Sequence, residues 1–175
     1  LREAVACDIY NRRKVTVNPE DVVIVPGGKV TMWHVILMFG GKGKEIIYPN
    51  PGFPIYESVI NYVGSKPIPI KLDISNNFKI NFDELESSIN KNTSLIIINF
   101  PSNPTGGVIS KKDIEILVSI LEKYPNLKIL SDEIYSRILY DNTKFISLLE
   151  YPQLKDRVII LDGWSKTYAM TGWRI

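Results

Sequence analysis

Hydrophobic patterning along the chain predicts an α/β protein with a mostly parallel sheet and helices on both faces. Three observations carry that expectation. Short apolar runs rich in β-branched residues recur along the chain, segments with helical periodicity fall between them, and clusters of Pro and Gly mark the boundaries. Alternation of this kind argues for βαβ units, in which helical crossovers join parallel strands. Most of the runs are apolar throughout, where a sheet with one wet face would alternate, so the strands are expected to be covered on both sides.

In chain order, the opening Leu1-Arg2-Glu3-Ala4-Val5 reads as the interior of a helix, and the basic cluster Arg12-Arg13-Lys14 as its solvated end. Residues 22–25 are the first strand, followed by Pro26-Gly27-Gly28 and a helical segment over 29–39. A second strand at 45–48 leads through Pro49-Asn50-Pro51-Gly52 into a helix over 54–63. A third strand at 68–72 precedes a short helix at 82–89, and residues 95–100 form the fourth strand. The helix over 111–124 has Ile114, Leu117, Val118 and Leu121 at helical spacing, with Ser110 placed as its N-cap. Strands at 128–130 and 158–161 complete the set. No repeat, low-complexity stretch or linker divides the chain, so one domain, or most of one, is the economical reading.

Composition narrows the function. The 175 residues are 45% hydrophobic and 23% charged, an ordinary globular balance, and a chain of this length buries roughly 70% of its unfolded surface without help from disulfides. A net charge of +2 is too small to predict attraction to nucleic acid or to a membrane. The single cysteine, Cys7, cannot form an internal bridge, which points to a reducing, cytoplasmic setting. The longest apolar runs, 35–39 and 95–98, are too short to cross a bilayer.

In open parallel sheets, ligands bind at the carboxyl ends of the strands, where helix N-termini also present unpaired N–H groups. Five predicted strand ends carry polar, glycine or aromatic residues and are expected to converge on one edge. Gly28 and Lys29 open a helix, which suits either an anion such as a phosphate or simply a tight βα turn. Asn103, flanked by Pro101 and Pro104, has either a fixed amide direction or an Asx-type turn. Asp132 lies at the end of an apolar strand, where a carboxylate needs a cation or donors, and Tyr135 follows three residues later; the alternative is a capping acid and a core tyrosine. Lys166 follows a buried strand and a Gly. Desolvation there would lower its pKa and make the amine nucleophilic toward a carbonyl, whereas a surface lysine would do neither.

Other chemistries fit less well. Ser165-Lys166-Thr167 lacks the glycines of a P-loop, and no G-x-G-x-x-G follows any predicted strand. One Cys and one His cannot make a zinc cluster, and His34, in an apolar helical stretch, is read as an ordinary core or surface residue. What is left is a phosphate-binding helix start, an acid, a phenol, an amide, a lysine and a later arginine. Pyridoxal phosphate needs that set, since it carries a phosphate, a pyridine nitrogen, a ring oxygen and an aldehyde.

Three strings, Asn103-Pro104-Thr105-Gly106, Ser131-Asp132-Glu133-Ile134-Tyr135 and the run from Ser165 to Ile175, occur in order and together resemble the class I/II pyridoxal-phosphate aminotransferases of the aspartate-aminotransferase-like group. The resemblance implies that Lys166 forms a Schiff base with the cofactor and moves protons, and that Asp132 pairs with the pyridine nitrogen. It implies that Tyr135 and Asn103 hydrogen-bond the ring oxygen, that Phe53 stacks on the ring, and that Gly28, Lys29, Ser165 and Arg174 hold the phosphate. Gly163 stands where many such proteins have a phosphate-binding Ser. Amino acids and 2-oxo acids are the implied substrates, and a homodimer the implied assembly. Carbon–sulfur β-lyases, aminocyclopropane-carboxylate synthases and a non-catalytic cofactor-binding relative are the alternatives. By the same resemblance, residues 1–175 are expected to be the central part of a large cofactor-binding domain, lacking an N-terminal segment and a C-terminal small domain, and inactive in isolation.

Overall fold

A computed structural model describes all residues, 1–175. Six helices and six strands follow in the order α1 (Arg2–Arg13), α2 (Gly28–Phe39), β1 (Glu45–Asn50), α3 (Ile55–Tyr62), β2 (Lys66–Asp73), β3 (Lys79–Ile80), α4 (Phe82–Ser88), β4 (Thr93–Asn99), α5 (Lys111–Glu122), β5 (Lys128–Asp132), β6 (Val158–Leu161) and α6 (Trp164–Thr167). The strands form one sheet in the order β3-β2-β1-β4-β5-β6. Every neighbouring pair is parallel except β2 and β3. From β1 the chain steps outward to β2, and from β4 it steps the other way to β5 and β6. The order therefore reverses between β1 and β4, where an open α/β sheet leaves a crevice at its carboxyl edge.

Alternation along each strand feeds two cores. Ile46 and Tyr48 of β1, Leu95 and Ile97 of β4 and Leu130 of β5 pack against α2 and α3 through Met32, Ile36, Tyr56 and Ile60. Ile47, Ile96, Ile98 and Ile129 point to the opposite face, where Leu85 of α4 and Ile114, Leu117 and Leu121 of α5 cover them. This is why the central strands read as apolar throughout. Ser110 caps α5 as expected, its Oγ accepting from the Asp113 N–H while Asp113 reaches back to the Ser110 N–H.

Two expectations need correction. Residues 22–25 join no sheet. The backbone is extended at Val22 and that side chain is buried, but Val23 is 80% exposed. β-branched composition favours an extended chain, yet a strand also needs a neighbour to hydrogen-bond, and none lies alongside. Conversely, β3 is a two-residue strand carried by no local signal; its pairing with the end of β2 makes it. No helix is long and apolar enough to cross a membrane.

Ile96 is fully buried in β4, at the middle of the sheet. Ile96→Ala is expected to lower stability by about 2–5 kcal/mol, as read by urea unfolding of the whole protein.

Candidate active site

The carboxyl ends of β4, β5 and β6 lie side by side, with Asn99 opposite Asp132 and Asp132 opposite Leu161. Asn99 fastens two of these ends together. Its Nδ2 donates to the Asp132 carbonyl at 3.1 Å, and its Oδ1 accepts from the Asn103 N–H at 2.9 Å. The β4 loop is thereby held beside the β5 carboxylate.

Asp132 is 2% exposed. Its Oδ2 accepts from the Tyr56 hydroxyl at 2.6 Å and its Oδ1 from the Ile134 N–H at 3.3 Å. No Lys or Arg pairs with it. Burial pushes its pKa up to about 6, with the Tyr56 and Ile134 bonds pulling the other way. The same contact and burial drive the Tyr56 hydroxyl far above the usual phenol range. A buried acid with donors on its flanks but no cation is arranged to receive one.

At the β6 end, Gly27 caps α2 with φ 91°, and Gly28 begins the helix against the Leu161 side chain. Arg174 brings its guanidinium to the same place, donating to the Pro26 carbonyl at 3.4 Å and to the Thr171 carbonyl at 2.7 Å. A Cβ on Gly27 would displace that guanidinium, and its φ of 91° is one that side-chain-bearing residues rarely adopt, so the glycine is required for its backbone. Helix N–H groups with a guanidinium close by are the kind of donor set that an anion needs. Lys29 is exposed on the first turn of α2, with its Nζ 5.8 Å from the Phe53 ring centroid, and Phe53 meets Tyr56 edge-on at 6.0 Å.

Lys166 lies on α6, with its Nζ 5.9 Å from the centroid of the Tyr135 ring. It is exposed, so the desolvation expected from its place after a buried strand is not found: α6 is one turn long and carries the lysine clear of the sheet. The Lys166 amine, the Tyr135 hydroxyl and the Asn103 side-chain amide take part in no hydrogen bond within the chain, so all three are available to a ligand, while the Asn103 backbone N–H is held by Asn99. Ser165 Oγ donates to the Ile175 carbonyl at 3.5 Å. A Cβ on Gly163 would crowd the tip of Ile134 at 3.2 Å, which gives that glycine a packing reason of its own.

The basic cluster also departs from expectation. Arg13 is buried, not solvated, and its Nη2 lies 2.8 Å from Glu133 and 3.2 Å from Asp162. Arg12 pairs with Asp8 and Asp162. Charge runs on helix ends usually face water; here α1 packs across the ends of β5 and β6, whose carboxylates draw the arginines in. Burial raises the Glu133 pKa to about 7 against the opposing pull of Arg13 and of the Ser147 and Ser131 hydroxyls. Tyr56, Asn99, Gly27, Arg13 and Glu133 were not legible as site residues. Tyr56 had one usable signal: with Val59 and Ile60 it sits on the apolar side of a helix, and a phenol buried there needs a partner for its hydroxyl.

Taken together, an anion cradle, a buried acid lacking a cation and a free amine beside a phenol suit a phosphorylated heteroaromatic aldehyde bound at the edge of an open α/β sheet. The chain belongs to the aminotransferase class I and II family, whose profile matches residues 1–175. That family is pyridoxal-phosphate-dependent. The chain is 36% identical over its full length to a probable aspartate/prephenate aminotransferase of Rickettsia typhi, of which it spans 44%. It is 39% identical to a probable aspartate aminotransferase of Methanocaldococcus jannaschii, spanning 45% of that protein. An aspartate aminotransferase structure from Rhizobium meliloti superposes with a TM-score of 0.94 at 29% identity, covering 99% of this chain and 44% of that one. The chain thus spans less than half the length of the relatives it matches.

The pKa of Asp132 also makes a stability prediction. Its folded value lies above the ordinary 3.8, so the folded state holds the proton more tightly than the unfolded chain does. The stability this confers is complete below about pH 4 and is lost as pH rises through about 6, a difference on the order of 3 kcal/mol. Asp132→Asn, which never ionises, is therefore expected to make the cofactor-free whole protein more stable than the parent at pH 7.5. That advantage should vanish near pH 4, as followed by thermal unfolding at the two pH values.

Proposed function

We propose that the whole protein moves an amino group between an amino acid and a 2-oxo acid with pyridoxal phosphate as cofactor. The observation that carries this reading is Asp132, a carboxylate buried with donors but no cation, at the same sheet edge as an anion cradle and an unengaged lysine. These residues fit the cofactor. Asp132 would pair with the ring nitrogen and favour its protonated form, a cation supplied where burial otherwise makes the charge costly. Gly28 and Lys29 through their backbone N–H groups, Ser165 through its hydroxyl and Arg174 through its guanidinium would hold the phosphate. Phe53 would stack on the ring, and Tyr135 and Asn103 would donate to the ring oxygen.

When bound, the cofactor supplies an aldehyde that condenses with amines and a ring that accepts electrons from the amino-acid α-carbon. Lys166 would anchor it through Nζ and would carry a proton at that same nitrogen. The relatives named as aspartate aminotransferases make aspartate the first donor to test. In this reading residues 1–175 supply the central part of the large cofactor-binding domain, the enzyme is a homodimer, and it works in the cytoplasm on amino-acid metabolism.

Lys166→Ala is expected to abolish both turnover and the covalent cofactor adduct trapped by borohydride, scored by activity and intact mass of the whole protein. Turnover retained in that variant would remove Lys166 from the role. Tyr56→Phe keeps the ring but deletes the 2.6 Å bond to Asp132. With less support for the ionised acid, cofactor affinity should fall about 10-fold or more at neutral pH, as measured by equilibrium dialysis.

A further inference from the structure

The β5–β6 ladder ends just where the site begins. Its last bonds join Asp132 to Leu161 in register and the Glu133 N–H to the Leu161 carbonyl at 2.8 Å. Beyond it, one branch carries Tyr135 and the other turns through Asp162 into α6 and Lys166. What spans them is side-chain charge from α1. Arg13, 3% exposed at its side chain, brings Nη2 to Glu133 at 2.8 Å and to Asp162 at 3.2 Å. Asp162 in turn accepts from the Gly163 N–H at 2.7 Å, which fixes the turn into α6. A second strap runs parallel to the first: Arg137 pairs with Asp8 of α1 at 2.6 Å and donates to the hydroxyl of Tyr168, two residues after Lys166.

This arrangement is poorly explained by stability. Arg13 Nε and Nη1 are buried with no hydrogen-bond partner, although the guanidinium has five donors to satisfy. A buried ion pair with donors left over stabilises a fold less than apolar side chains of the same volume would. It does fix distances, because one nitrogen bridges two carboxylates on two loops.

We propose that Arg13 is a positioning residue for the cofactor site, its guanidinium held between Glu133 and Asp162 so that the end of β5 with Asp132 and the following segment with Tyr135 keep a set distance from the turn that leads into α6 and Lys166. The proposal rests on the cofactor reading above. In it, α1 contributes no group to the chemistry and sets the spacing between the residues that do.

The test uses the whole protein loaded with cofactor. Arg13→Met keeps much of the side-chain length and removes the bridge, and Arg13→Met/Glu133→Gln removes the unpaired buried carboxylate as well. Each is assayed for melting temperature, kcat, KM and the pH midpoint of the visible cofactor band. The double variant should regain the melting temperature lost by the single one. Both should still show kcat lowered about 10-fold or more, KM little changed and a displaced band midpoint, since a small misplacement at a reacting centre is costly. A folded variant with parental kcat and midpoint would overturn the proposal. So would activity that follows melting temperature alone, or failure of both variants to fold, either of which makes Arg13 a residue of stability. A parental protein with no visible band overturns the cofactor reading itself, and the proposal falls with it.

Discussion

A parallel sheet covered on both faces can be reached by a ligand only at its ends, and most of this molecule follows from that constraint. Ile46, Ile96 and Ile129 are fully buried in three adjacent strands, under helices on one side or the other. No polar chemistry fits between those layers. Every strand except β3 runs the same way, so the loops after β1, β4, β5 and β6 emerge on one edge. Residues far apart in sequence, from Gly27 to Arg174, meet there because the crossovers return the chain to the same side each time.

At that edge the protein holds a group that its own fold does not favour. The carboxylate of Asp132 has given up water and gained two hydrogen bonds, one from Tyr56 and one from the backbone. Glu133, next in sequence, points to the other side and has a cation, Arg13, with two serine hydroxyls besides. Two adjacent buried acids thus receive opposite treatment. Glu133 is neutralised from within the chain, and Asp132 has no cation of the chain's own. In the cofactor reading proposed above, that contrast separates a binding group from a packing group more clearly than burial alone.

How far this was legible in the sequence depended on whether the signal was local. Ile96 to Ile98 announced a strand covered on both faces, and Ser110 announced the start of α5, because pattern and cap are properties of neighbouring residues. Val22 to Val25 had the same β-branched composition but formed no strand, since pairing is decided by what lies alongside. Arg13 was misread for the same reason: its three-residue context is basic and exposed in character, while its partners are Glu133 and Asp162, far along the chain. Asp132, Tyr135 and Lys166 stood out because their positions after apolar runs put polar groups at strand ends. Of the two residues that brace Asp132, Asn99 lay inside a strand where nothing marked it, and Tyr56 was marked only by its place on the apolar side of α3.

The two braces differ in kind, and the geometry explains the difference. Between β4 and β5 the loops stay close, so the short amide of Asn99 suffices, one end donating to the Asp132 carbonyl and the other accepting from Asn103. Past the last rung of β5 and β6 the two chains diverge, one into the turn at Ile134 and the other into α6. Here the link between them comes from a third element, whose side chain has to reach both loops. An arginine from α1 meets the requirement, and because it ends in a charge it needs acids on both loops, Glu133 on one and Asp162 on the other. The ionic network thus ties the chain after β5 to the turn after β6 at the point where the ladder of backbone hydrogen bonds between them ends.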